Sequence, residues 1–271
     1  MIALRRCVAL EGESGALVSV RLPDLALRLL AHLSNDDAML RAIRTADASG
    51  GGLLGHLTHK ASAGLPATGP GMPSMAIAWR RMLDGRAGLP ASVEELFLQQ
   101  SDMLALPITN GTDDGDRPGD AAALRLLETF SQLRDYHIKL IRDASARTAL
   151  TTLAGRGLPV SPLLRSDRQR EQAAVAAALL GDMVSACADD VSGLLVGRLA
   201  RGGGEAIGQW HLLVHGRCEL LFSLREGEVA DASALRAAVQ AAADEVEQLL
   251  KLKTILRVEV EEVRAWPWAS M

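Results

Sequence analysis

Aromatic side chains are nearly absent from this chain: one Tyr, three Phe and four Trp make up 3% of its 271 residues. A core without large rings must be assembled from Ala, Leu and Val, and small side chains let helices approach one another closely. Lysine is equally scarce, with only Lys60, Lys139, Lys251 and Lys253 among 29 Lys and Arg residues. Beside the Ala and Gly content, that skew reads as GC-rich coding and not as an arginine-based function. Cysteine is limited to Cys7, Cys187 and Cys218. Their odd number and wide spacing do not make a disulfide framework. A reducing compartment, and so a cytoplasmic location, is the expectation. No run of about 18 apolar residues is free of charge, so no membrane span is expected. Nor does an apolar stretch with a cleavage-type site follow Arg5 and Arg6, as a secretory signal requires. The phosphate-loop pattern GxxxxGK[ST], a strand-borne GxGxxG, HExxH and GxSxG are all missing. A net charge of −4 argues against a dedicated non-specific DNA binder, which carries a clear positive excess.

The patterning that is present predicts an α+β fold, helix-rich, with a small sheet made by N-terminal and C-terminal strands and a mostly helical middle. Ile2 to Leu10 and Ala16 to Leu22 read as strands around a polar, glycine-bearing loop, with Val18, Val20 and Leu22 on one face by the period of two. Helices are expected from Pro23-Asp24 to about Leu33, from about Asp36 to Ala46, at about 74–84 and at 93–104. A long one runs from Asp120 to about Leu153, and another starts near Ser166 and ends at Gly202-Gly203-Gly204. The last seventy residues change period. Trp210 to His215 and Arg217 to Leu224 read as strands, Asp231 to Lys253 as a helix with Leu249 and Leu250 inward, and Thr254 to Ala265 as a strand with Glu259 and Glu261 on its polar side. Unpaired strand edges are costly, so the two chain ends are expected to meet in one sheet. The domain reading is a single α+β domain, 1–271, with a helical lobe at 24–205 and strand elements at 2–22 and 209–265.

Few residues suggest chemistry. His211, His215 and Cys218, with Glu219 beside them, form the best metal-like cluster. On a regular strand the two histidines share a face some 13 Å apart, too far for one zinc unless Gly216 bends the chain. His56 and His59 have helical i, i+3 spacing. His137 sits in the apolar stripe of the 120–153 helix, where a buried imidazole needs a hydrogen-bond partner. Arg156, Arg165, Arg168 and Arg170 are the densest basic stretch and lie near a helix start, where an anion or nucleic-acid phosphate is favoured. Arg5, Arg6, Arg21 and Arg28 make a second potential patch. Asp113, Asp114, Asp116 and Asp120 read as a solvated loop. Trp266 and Trp268 resemble a partner anchor, since Trp is enriched at binding hot spots.

No catalytic residue is assigned, no cofactor is specified and no motif names a family. The expected function is a non-enzymatic binding or assembly protein, a subunit, adaptor or accessory factor acting through helical and sheet-edge surfaces on a protein partner or a second copy. Two further readings stand beside it. One is an RNA-associated or other nucleic-acid subunit using the Arg patches. The other is an enzyme with a non-standard His/Cys site.

Overall fold

In a computed structural model of the chain, the described residues are 17–62, 79, 126–165, 169–202, 210–224 and 232–263. They form strand β1 (Leu17–Arg21), helices α1 (Leu25–Ser34), α2 (Asp37–Ser49), α3 (Leu53–Ser62) and α4 (Ser131–Ala146), and the short strands β2 (Ala149–Thr151) and β3 (Gly157–Pro159). A 3-10 turn (Pro162–Arg165), helix α5 (Gln169–Gly202), strands β4 (Trp210–His215) and β5 (Glu219–Leu224), helix α6 (Ala232–Leu250) and strand β6 (Glu259–Val263) complete the order. The expected α+β class, helix-rich with a small sheet, is what the chain adopts. Two compact units divide it: Met1–Leu25 with Ala188–Met271, and Ala26–Cys187.

The first unit holds a four-stranded sheet in the order β4-β5-β1-β6. β1 is antiparallel to both of its neighbours, with Val20 opposite Leu220 on one side and Val260 on the other. The period-two reading of β1 holds: Val18, Val20 and Leu22 are buried. Leu220, Phe222 and Val260 continue that apolar face by register and are buried too. The opposite face carries Ser19 and Arg21 on β1, Glu219 on β5, and Glu259 and Glu261 on β6. Helix α6 runs beside β6, where the Arg236 guanidinium donates to the Val260 carbonyl at 3.0 Å. Arg198 of α5 pairs with Glu245 of α6 at 3.2 Å. On α6, Leu235, Val239, Ala243 and Val246 are buried, whereas Leu249 is half exposed and corrects the expectation of an inward side chain there. β6 is shorter than the expected 254–265 strand and begins only at Glu259.

The second unit is knit by buried polar groups. Asp36 is 2% exposed, and its carboxylate caps two helices at once. Oδ1 accepts from the Ala38 and Met39 amides at the start of α2, at 2.9 and 3.0 Å. Oδ2 accepts from the Gln132 and Leu133 amides at the start of α4, at 3.2 and 3.3 Å. Gln132 Oε1 returns the bond by accepting from the Asp37 amide at 2.8 Å. These are first-turn donors, of which the Leu133 amide also reaches the Phe130 carbonyl, at 3.1 Å.

The long helix expected over 120–153 is corrected at its C-terminal end. α4 stops at Ala146, and Arg147 turns extended (φ −128°, ψ 156°). Ala149–Thr151 then pairs with Gly157–Pro159 as a hairpin. Three threonines, Thr148, Thr151 and Thr152, favour extended backbone by their χ1 restriction. The Thr152 hydroxyl accepts from the Arg156 amide at 3.1 Å, and Gly155 supplies the left-handed turn residue (φ 83°). The expected strand at 2–10, the helix at 93–104 and the acidic loop at 113–120 lie outside the described residues, as does all but Trp79 of the helix at 74–84.

Asp36→Ala removes two caps at roughly 1 kcal/mol each. Urea unfolding is expected to show a loss of about 2 kcal/mol against the wild type, and a much smaller loss for the neighbouring exposed Asp37→Ala.

Candidate functional site

The polar face of the sheet is where the described residues gather charge. Arg21 ends the central strand with Glu219 directly across on β5 and Glu259 directly across on β6. Its guanidinium lies between carboxylates from both sides. Nε is 3.5 Å from Glu219 Oε1, and Nη1 is 3.0 Å from Glu261 Oε2. Glu219 is largely shielded, at 15% exposure, while Arg21 retains 42% and Glu261 55%. The Ser19 hydroxyl, itself buried, donates to Glu219 Oε1 at 2.8 Å. One glutamate is thus held by a buried O–H and a guanidinium, and the same guanidinium reaches a second glutamate two strands away.

The β4–β5 hairpin brings further polar groups to the same end of the sheet. Gly216 closes the tip by donating its amide to the Glu219 carbonyl at 2.8 Å, and the Leu22 amide donates to the Cys218 carbonyl at 2.9 Å. Arg217 projects from the tip and makes a two-pronged bond to Asp189 of α5, at 2.8 and 3.3 Å, with both side chains about half exposed. Ser192, buried on α5, lies 2.5 Å from His215 Nε2 and 3.1 Å from the Gly216 carbonyl. A hydroxyl has one hydrogen. Given to the carbonyl, it makes the serine an acceptor for His215 Nε2–H, a clamp on the hairpin and not an activated nucleophile.

The sequence-derived metal cluster is not brought together. β4 contains a bulge between Leu212 and Val214. It leaves His211 opposite Ser223 and His215 opposite Leu220. Ser223 and Leu220 are three residues apart on β5, so they lie on opposite faces, and the two histidines do likewise. The inserted residue of a bulge flips every later side chain, which corrects the expectation of a shared face. Burial pushes the Cys218 thiol up; neighbouring Arg217 opposes this and Asp189 adds to it. His56 contacts the Ser49 hydroxyl at 3.2 Å and His59 is exposed. Among the described residues no group of three or more His, Cys, Asp or Glu side chains is placed to hold a metal ion.

The arginines of the two expected patches are described in part. Arg165 caps the end of α4, donating to the carbonyls of Ser145 at 3.1 Å, Ala144 at 3.5 Å, and Arg147. Arg156 donates to the Ala186 carbonyl at 2.9 Å. Arg170 falls in the first turn of α5, and Arg168 lies outside the described residues. Arg28 belongs to no surface patch: it is 1% exposed and makes a two-pronged pair with Asp47. Arg5, Arg6, Trp266 and Trp268 lie outside the described residues. The residues that do meet, Arg21, Glu219 and Glu261, carry a faint signal in sequence. A charged residue ends a β-branched strand, and glutamates alternate on the last one.

No protein-family model matches the chain, and no curated protein matches it. Among solved structures, it is similar to the POL domain of Pol1 from M. smegmatis, determined in complex with a DNA primer-template and dNTP. The TM-score is 0.69 with 20% identity, over 97% of this chain. The chain spans 42% of the length of that solved chain. A likeness of this extent shows a shared fold. It overturns the expectation of a non-enzymatic binding or assembly protein acting through helical and sheet-edge surfaces, because nearly the whole chain shares its fold with a domain solved on primer-template DNA. Among the described residues no helix is long and apolar enough to cross a membrane.

His137 on α4 is fully buried, and its Nε2–H donates to the Ala176 carbonyl at 2.9 Å. Burial lowers its pKa from 6.5 to about 4, against the opposing pull of that hydrogen bond. Between those two values the unfolded chain takes up a proton that the folded chain refuses. Stability is therefore complete above about pH 6.5 and falls as the pH drops toward 4. Acid titration of the melting temperature is expected to be shallower for His137→Gln, which keeps a donor but cannot ionise. The full difference amounts to roughly 3 kcal/mol at 1.36 kcal/mol per pKa unit.

Proposed function

We propose that this chain binds nucleic acid as a polymerase-type domain, engaging a duplex with a single-stranded overhang through the polar face of its sheet. One observation carries the reading: the fold likeness, over 97% of the chain, to a domain solved with a DNA primer-template and dNTP. Fold alone does not assign function, so the local chemistry has to be compatible with it. Arg21 and Arg217 both retain exposure on one end of the sheet, and guanidinium groups match phosphate in planar, two-pronged geometry. Arg21 comes from the inner strand β1, and Arg217 from the tip of the β4–β5 hairpin beside it.

The overall charge of −4 does not oppose this. Counterion release depends on the cations that touch phosphates and not on the net charge. Glutamates on the same face limit how many phosphates it can neutralise, so moderate affinity with a shallow salt dependence is the expected behaviour.

Fluorescence anisotropy with a labelled primer-template DNA, over a series of salt concentrations, tests the reading. Binding should weaken linearly on a double-logarithmic scale, with a slope of about 0.9 for each phosphate that the protein neutralises. Arg217→Glu should weaken binding and lower that slope by about 1. No binding at low salt, by wild-type protein with intact secondary structure, would remove the proposal.

A further inference from the structure

Polymerase chemistry of the two-metal kind requires divalent ions held by carboxylates, which stabilise the attacking and leaving oxygens of an in-line displacement. Magnesium demands hard oxygen donors in near-octahedral array and is bound by carboxylates together with substrate phosphates. The donors on the polar face of this sheet do not fit that requirement. Glu219 and Glu261 approach from the strands on either side of β1. The space they share holds the Arg21 guanidinium, at 3.5 and 3.0 Å from their oxygens. The remaining lone-pair capacity of Glu219 Oε1 is taken up further by the buried Ser19 hydroxyl at 2.8 Å.

We infer that Arg21 is the resident cation of this face. It fills the position that a divalent metal would take between Glu219 and Glu261, so the face meets nucleic-acid phosphate through a guanidinium without metal. That such phosphate comes to the face rests on the nucleic-acid reading above; the occupation of the carboxylate pair by Arg21 does not. Three features support the assignment. Arg21 is on the central strand, the one position with carboxylates across both ladders. The pair is asymmetric, one glutamate shielded and one open, so that the guanidinium remains accessible from outside at 42%. The guanidinium is covalently part of the chain, so the neutralisation does not depend on ambient metal.

The assignment also constrains chemistry. A guanidinium can neutralise and orient phosphate oxygens, but it donates hydrogen bonds and has no open coordination position. It cannot lower the pKa of a bound 3′-hydroxyl as a coordinated metal does. Two-metal nucleotidyl transfer is therefore not expected from this face.

Manganese titration of the full chain, followed by the electron paramagnetic resonance signal of free Mn²⁺ and carried out without nucleic acid, tests the inference. The wild type and Arg21→Lys should leave the free-ion signal undiminished. Arg21→Asp replaces the guanidinium with a third carboxylate and should cause a saturable loss of that signal, abolished again by adding Glu219→Gln. Circular dichroism establishes that each variant is folded; should Arg21→Asp fail to fold, Arg21→Gln, which removes the charge at similar size, takes its place with the same expectation. Manganese uptake by the wild type that Glu219→Gln abolishes would overturn the proposal, as would a folded charge-removal variant that leaves manganese free. Duplex binding by the wild type should be unchanged by EDTA, and a loss on chelation would also overturn the proposal. Absence of duplex binding in both conditions would count against the nucleic-acid reading alone, because the manganese result stands apart from it.

Discussion

The pairing of β1 with both β5 and β6 is the constraint from which the sheet and its site follow. β1 lies near the start of the chain, while its two partners come from residues 219–224 and 259–263. Closing loops of that length costs entropy before any contact compensates it, so the register must be strongly specified to be unique. It is specified by the face. Val18 and Val20 are wholly buried among Leu220, Phe222 and Val260. A slip of one residue would carry these side chains to the polar side and bring Arg21 into the core. The register that buries the valines is thus the same one that sets Arg21 across from Glu219 and Glu259. Core packing and site assembly are a single choice of register.

A different device adds to the apolar packing of the second unit. Asp36 ties the starts of α2 and α4 through four amide donors, and Arg28 is buried against Asp47 across α1 and α2. Such groups are costly to bury and costlier to leave unpaired. They penalise alternative helix arrangements more sharply than Ala and Leu contacts can, because those contacts tolerate sliding. This accounts for the fate of Arg28. In sequence it is one more basic residue for a surface patch, whereas the fold uses it as an internal fastener.

Legibility in the sequence tracks local physics. The period of β1, the α5 stripe of Leu179, Leu180, Met183, Cys187, Val191 and Leu195, and the hairpin after Trp210 are all short-range patterns, and they are readable. The break at Ala146 is not, because continuing apolar spacing through Leu150 outweighs three threonines. Nor is the bulge at Leu212–Val214, a one-residue irregularity without glycine that reverses the facing of His215 and dissolves the apparent metal cluster. The site itself joins residues some two hundred positions apart, Ser19 to Glu219, and no spacing rule connects them. The likeness in fold to the POL domain is hidden for the same reason. At 20% identity the likeness resides in the arrangement of elements, not in any motif.

The frame and the site therefore carry different kinds of information. A likeness over 97% of the chain shows a shared arrangement of elements. The groups on those surfaces decide what can happen there. On this sheet the decisive group is a cation built into the chain. A metal ion exchanges with solvent, answers to its concentration and offers empty coordination positions to a substrate. A guanidinium on a central strand does none of these things, yet its charge and its planar donors still suit phosphate. Exchanging the first kind of cation for the second would preserve electrostatic attraction to a nucleic-acid backbone while removing the means of activating a hydroxyl. Glu219 is consistent with such an exchange: its carboxylate is satisfied by Ser19 and Arg21 from within the sheet, so it has no electrostatic need of an external ion.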